Sequence, residues 1–233
     1  MLMKLVVLAL VAAALLVGAA WGLFAPLPER LEGFLIALAG GALIVSIMSE
    51  LVERAAPHIA FPVLAASLIA GALAFVALDR FVKQKLGARS GGGLLVSVTL
   101  DGIPENLALG VALIGATPLE VAALAGSIFL SNLPEAAGGA RGMREDGYAR
   151  GTVFAIWAGT AVLLSVAAIV GNRLLADAGE ALLSTIRVFA AGVVAASLAT
   201  EVFPKAYKQD HLATGIAIAL GLVAAQGLSQ LAG

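Results

Sequence analysis

Apolar runs of about twenty residues recur along the chain, each closed by a short polar connection, at about 5–24, 31–52, 60–78, 93–114, 118–140, 151–172, 181–203 and 212–231. A helix rises 1.5 Å per residue, so about 20 apolar residues cross the hydrocarbon core of a bilayer. The pattern predicts an all-α polytopic membrane bundle of eight transmembrane helices, forming a single transmembrane domain over residues 1–233. The longest connections, "DRFVKQKLGARSGGG" at 79–93 and "RGMREDGYARG" at 141–151, leave no room for a soluble domain. The first run also has the charged start and small residues of a signal peptide, and is expected to be a span.

Composition agrees with this picture. Of 233 residues, 61% are hydrophobic and 12% charged, and the mean hydropathy is +1.03, against roughly 25% charged residues in soluble domains. A net charge of −1 provides no basic stripe for phosphates, so no nucleic-acid partner is expected. Cysteine is absent, which removes disulfides and thiolate chemistry, and the two histidines, His58 and His211, lie outside the apolar runs. Arg30, Arg80, Lys83, Lys85, Arg89, Arg141, Arg144, Arg150, Lys205 and Lys208 all fall in the first, third, fifth and seventh connections. The positive-inside rule then puts those connections in the cytoplasm and both termini outside it. These basic residues are read as setting topology and nothing more.

The chain also repeats itself. "SNLPEAAG" laid on "DGIPENLA" matches Pro134 to Pro104, Glu135 to Glu105 and Ser131 to Asp101, on consecutive spans that run in opposite directions. At a constant offset of 151, "AGGALIVSIMSELVER" (39–54) matches "AAGVVAASLATEVFPK" (190–205), pairing Gly41 with Gly192, Ser46 with Ser197, Glu50 with Glu201 and Arg54 with Lys205. The pattern predicts a 3+2+3 arrangement with inverted repeats, a construction common in transporters.

The central pair carries the candidate chemistry. Asp101 and Glu105 stand one turn apart on one helix face, as do Ser131 and Glu135, with Asn132 close by. Pro104 and Pro134 withhold a backbone N–H, so the carbonyls of Leu100 and Leu130 are expected to lose their helical donors and the helices to bend. Glycines 102, 110, 138 and 139 are expected to bring these two helices close together. An ionised acid at mid-span costs roughly 2.5–3.5 kcal/mol even on an insertion scale. No Lys or Arg in the middle of a span offsets the three acids, which therefore read as a cation pathway. Glu50 and Glu201, nearer helix ends, are candidate entry and exit acids. Ser46, Ser49, Ser127, Ser197 and Thr200 read as helix-packing groups, and Arg187, Trp157 and Trp21 as interface or packing residues.

The paired x-x-x-Pro-Glu motifs, the eight spans, the outside termini and the span ending "AAGVVAASLATEVFP" together resemble the ZIP (Zrt/Irt-like) family of divalent metal-ion transporters, bacterial type. That resemblance implies a metal site of Asp101, Glu105, Ser131, Asn132 and Glu135. The chain departs from the family pattern in lacking its usual histidine at 101, its asparagine at 102, its acid on the sixth span and its histidine-rich third connection, and the resemblance so implies a single metal site, or one main site with a vestigial neighbour. The implied function is transport of zinc, with manganese or iron as alternatives, toward the cytoplasm across a bacterial inner membrane. Carboxylate, amide and hydroxyl oxygens suit hard or borderline cations. The expected partners are the divalent cation as transported substrate and the lipid bilayer. No prosthetic group and no catalytic site are expected, and a homodimer is a possible assembly, the oligomeric state not being legible in the sequence. A proton- or Na⁺-coupled permease for an organic solute would use the same buried acids. An intramembrane metallohydrolase is disfavoured because no histidine lies within a span.

Overall fold

The structure is a computed structural model and describes residues 2–25, 27–86, 91–114 and 118–232. Among the described residues there is no strand, so the backbone satisfies its own N–H and C=O groups within helices, as apolar surroundings require. In order the helices are α1 (Leu2–Phe24), α2 (Glu29–Ser46), α3 (Phe61–Leu86), α4 (Gly91–Ala112), α5 (Pro118–Glu145), α6 (Arg150–Leu174), α7 (Glu180–Ser197), α8 (Phe203–Gln209) and α9 (Thr214–Ala232). The segments Val6–Phe24, Glu29–His58, Phe61–Phe81, Arg150–Leu174 and Glu180–Gln209 are long and apolar enough to cross a membrane. Large apolar side chains point outward on α3 (Phe61, Ile69, Leu73) and α6 (Val162, Val166, Leu174), a surface suited to lipid.

Helix bounds follow the hydropathy pattern, with two differences. α3 continues past 78 through the charged residues to Leu86, and α5 continues to Glu145, because nothing in those stretches breaks a helix. Pro104 and Pro134 lie inside helices that run on through them, as the expected spans do. The second difference is that α2 and α7 each pass into a π-helical segment, Ile47–Glu53 and Leu198–Val202. The two π segments begin at positions related by the 151-residue offset, and each carries the acid of the matched pair, Glu50 or Glu201. Widened turns of this kind gather at functional sites. After the second, Pro204 near the start of α8 cannot donate back into the preceding turn.

The helices associate in two groups. α1, α4, α5 and α6 pack on one another, while in the second group α2 lies along α9 and α3 along α7, joined through the π segments and α8. Inside each group the backbones touch at glycines. A Cβ on Gly41 would meet the Ile218 carbonyl, and one on Gly221 the Leu38 carbonyl; Gly192 stands in the same relation to Leu68, and Gly71 to Phe189. In the first group Gly110 faces the Ala168 carbonyl and Gly171 that of Leu107, while Gly18 and Gly22 of α1 face the Leu133 and Ala137 carbonyls. In lipid, where apolar burial does not drive helices together, such close contact supplies dispersion and weak Cα–H···O attraction.

The four central glycines do not bring α4 and α5 together as expected. Gly102 makes room for Leu164 and Gly110 for the backbone at Ala168, both on α6; Gly139 admits the ring of Trp157 on α6, and Gly138 faces Glu32 on α2. One buried cluster (Leu15, Ala19, Val98, Ala136, Ala140, Met143, Trp157, Leu164) is the core of the first group. A larger one joins the two groups, setting Ala108, Leu109, Ala112 and Ile128 against Ile36, Leu43, Ile47, Leu51, Ala191, Val194 and Leu198.

Candidate functional site

The stripe on α5 is fixed by its contacts above and below. Ser127 Oγ lies 2.8 Å from Ser46 Oγ on α2, and Gly138 lies against the Glu32 carboxylate, also on α2. Ser131 and Glu135 stand between them at spacings of four, four and three residues, so all four share one helix face. That face is the one α5 turns toward α2. Ser131 is 5% exposed and donates to the Ile128 carbonyl at 3.2 Å; Asn132 is 2% exposed, and its Nδ2 has no hydrogen-bond acceptor. Glu135 is half-buried.

On α4, Glu105 is buried and precedes Ala108 and Ala112 on one stripe, which packs against the α7 residues of the joining cluster. Both carboxylate-bearing faces therefore look out of the first group toward the second. The side chain of Asp101 lies outside the described residues. Among the described residues no group of three or more His, Cys, Asp or Glu side chains is close enough to hold a metal ion. Asn106 was not singled out in the sequence; it is 1% exposed, and its Nδ2 donates to the Gly102 carbonyl at 2.9 Å. A buried amide directly after an acid in an apolar span is the signal that would have marked it.

The outlying acids behave differently from each other. Glu50 is buried within its π segment and paired to Arg54 Nε at 2.8 Å, a contact one helical turn long. Glu201 is half-buried in the matching segment. Lys205, one helical turn after Glu201 as Arg54 is after Glu50, reaches across to α2, where its Nζ lies 2.9 Å from Glu32 Oε1. The hydroxyls act as packing groups: Ser46 donates to Ala42 at 3.1 Å, Ser49 to Val45 at 3.0 Å and Thr200 to Ala196 at 2.9 Å. Arg187 is buried, with Glu180 3.7 Å away.

A scan against protein-family models and a search of curated proteins return no match.

Sequence reasoning passed over a buried carboxylate that meets two cations. Glu32 is 1% exposed and holds two cations, Lys205 on α8 and Arg141 on α5, each at 2.9 Å. Arg141 also donates from its other terminal nitrogen to the Leu27 carbonyl at 2.7 Å. Arg141 and Lys205 were assigned to connections and to topology, whereas both are helical and turned inward. The run Gly138-x-x-Arg141, a small residue one turn before a base, was the available sign that an acid from another helix fits there.

Proposed function

We propose that the protein is a divalent metal-ion transporter carrying zinc, or manganese or iron in its place, toward the cytoplasm. In this reading the cation exchanges water for Asp101, Glu105, Ser131, Asn132 and Glu135 on α4 and α5. It enters past Glu50 and leaves past Glu201. The observation that carries the proposal is the placement of Glu105 and of the Ser131–Glu135 stripe, on faces that point from one helix group to the other. Acids inside an apolar bundle are costly unless they line a polar path or meet a cation.

The eight-span, 3+2+3 reading belongs with this proposal. α1–α3 and α6–α9 form the inverted halves, and α4 and α5 the central pair. The matched start of the π segments supports it. So do the glycine contacts: the offset that carries Gly41 to Gly192 also carries Leu38 to Phe189, so that Gly221 on Leu38 and Gly71 on Phe189 exchange places between halves. Alternating access is motion of the group α1, α4, α5 and α6 against the other.

The test is uptake of Zn²⁺, Mn²⁺ and Fe²⁺ into proteoliposomes, with Glu105→Gln and Glu135→Gln alongside. Saturable uptake that both variants lose, while both remain folded, is the expected result. Normal uptake by both variants sinks the site. Flux of an organic solute driven by protons or Na⁺, with no metal flux, transfers the same acids to a coupling ion.

A further inference from the structure

One cavity opens where three apolar helices reach their ends. It encloses about 380 Å³ and is lined by Arg30, Gln209, Asp210, His211, Leu212, Ala213 and Ile216. Arg30 is the second residue of α2, Gln209 the last of α8, and Ile216 belongs to the first turn of α9. The apolar segments Glu29–His58 and Thr214–Gly227 start here and Glu180–Gln209 stops here, so the cavity lies at the boundary between hydrocarbon and water. Its volume is in the range of small-ligand sites, which run roughly from 300 to 1,000 Å³.

The lining divides into three chemistries. Arg30 and His211 offer N–H donors, and the guanidinium is the side chain best shaped for a phosphate. The His211 ring is steadied by Tyr207, edge to face, with centroids 6.1 Å apart. Asp210 offers acceptors. Asp210 Oδ1 accepts from the N–H groups of Leu212 and Ala213 at 3.2 and 3.1 Å, which sets the carboxylate's direction. A carboxylate has about four lone-pair sites, so capacity remains for a further donor. Gln209 contributes wall, its side chain packed on Gly33 with Oε1 turned away from the cavity. Leu212 and Ile216 are 79% and 64% exposed and give the mouth an apolar lip.

We infer that this cavity binds the headgroup of an aminophospholipid, with phosphate at Arg30 and His211, primary ammonium at Asp210, and the glycerol and acyl root over Leu212 and Ile216. Phosphate beside a primary ammonium is the shared chemistry of the lipid and of free phosphoethanolamine, and the exposed apolar lip assigns the site to the lipid. A choline headgroup has no N–H to give to Asp210, and a purely anionic headgroup brings no positive charge to it. The inference uses the membrane placement of the chain and is independent of which ion it carries. The site adjoins the Glu32 cluster, because the Gln209 side chain packs on Gly33 and Lys205 is one turn before Gln209.

The test uses the full chain, delipidated in detergent, with phosphatidylethanolamine, phosphatidylcholine or phosphatidylglycerol added. Melting temperature and native mass spectrometry are the readouts. The ethanolamine lipid is expected to raise the melting temperature at about tenfold lower concentration than the choline lipid, the worth of one charge-assisted hydrogen bond. Arg30→Gln weakens both lipids, and Asp210→Asn, which keeps a capping oxygen for α9, removes the preference for ethanolamine. Each variant's lipid-free melting temperature is its own baseline, and the ratio of bound lipids in a mixed sample holds even if that baseline falls. Equal shifts from all three lipids, or an unchanged preference in both variants, overturn the inference. A soluble phosphoethanolamine shift equal to the lipid's overturns the assignment to the membrane.

Discussion

Glu32→Gln removes the buried carboxylate that pairs with both Arg141 and Lys205, leaving Arg141 its exposed partner Glu145 at 3.8 Å. The Glu32 side chain is 1% exposed, whereas those of Arg141 and Lys205 are 30% and 26% exposed. Breaking a fully buried pair from one side costs about 3–5 kcal/mol, because the remaining charge is stranded. Lys205 Nζ is itself shielded from water, but both side chains are part-exposed along their stems and can swing the charge outward, so the expected loss is smaller, about 2–3 kcal/mol. For a chain of this length each kcal/mol moves a melting temperature by roughly 2–4 °C, which puts the drop at about 4–12 °C. The assay is the temperature at which half of the detergent-solubilised protein stays monodisperse.

Arg141→Gln supplies the control. It leaves Glu32 with Lys205 but frees the Leu27 carbonyl, so its cost is expected near 1–2 kcal/mol. Because Glu32 and Arg141 touch, the double variant should fall short of the sum by about 1–2 kcal/mol. A Glu32→Gln protein melting within about 1 °C of the parent, or strict additivity in the double variant, refutes the reasoning.

Gly41→Ala and Gly192→Ala each push a methyl group into a carbonyl of the neighbouring helix and should destabilise by about 1–3 kcal/mol, whereas Gly126→Ala meets nothing and should be neutral or slightly stabilising; thermal melts compare them. Glu105→Gln and Glu135→Gln should lose metal uptake with little change in melting temperature, and a loss of folding in both would make these acids structural. Since the chain has no cysteine, Ser46→Cys with Ser127→Cys places a lone thiol pair where two hydroxyls lie 2.8 Å apart. Oxidation should join α2 to α5 and stop transport until a reductant is added; uptake that continues in the crosslinked protein argues against motion between the groups.

Hydropathy made the helices legible because lipid demands long apolar segments whatever the neighbours are. The matched register around Gly41 and Gly192 was legible too, since both positions approach a backbone and tolerate no side chain. What a glycine faces is another matter: Gly102, Gly110 and Gly139 serve α6 rather than the α4–α5 contact, and no local pattern distinguishes those partners. The π segments escaped because nothing near Ile47 breaks a helix, and Pro204 hinted at only the second. Glu32 escaped for a different reason. Its partners lie 109 residues away on α5 and on α8 beyond, and bases at span ends were already accounted for by topology.

The two kinds of helix contact suggest how the proposed transport would work. Within each group, carbonyl oxygens lie against glycines, so sliding one helix past its neighbour would drive Cβ atoms into backbone over several turns. Between the groups the joining cluster is made of Ala, Leu, Ile and Val side chains, with a hydroxyl pair at Ser46 and Ser127 and ion pairs at Glu32. Side-chain contacts of this sort can be remade in a second arrangement, whereas interlocked backbones cannot shift by degrees. The weaker boundary is thus the one faced by Glu105, Ser131 and Glu135. A cation held there would be exposed to one side or the other as that boundary opens, and the Glu32 pair with Arg141 would have to part for the movement to occur.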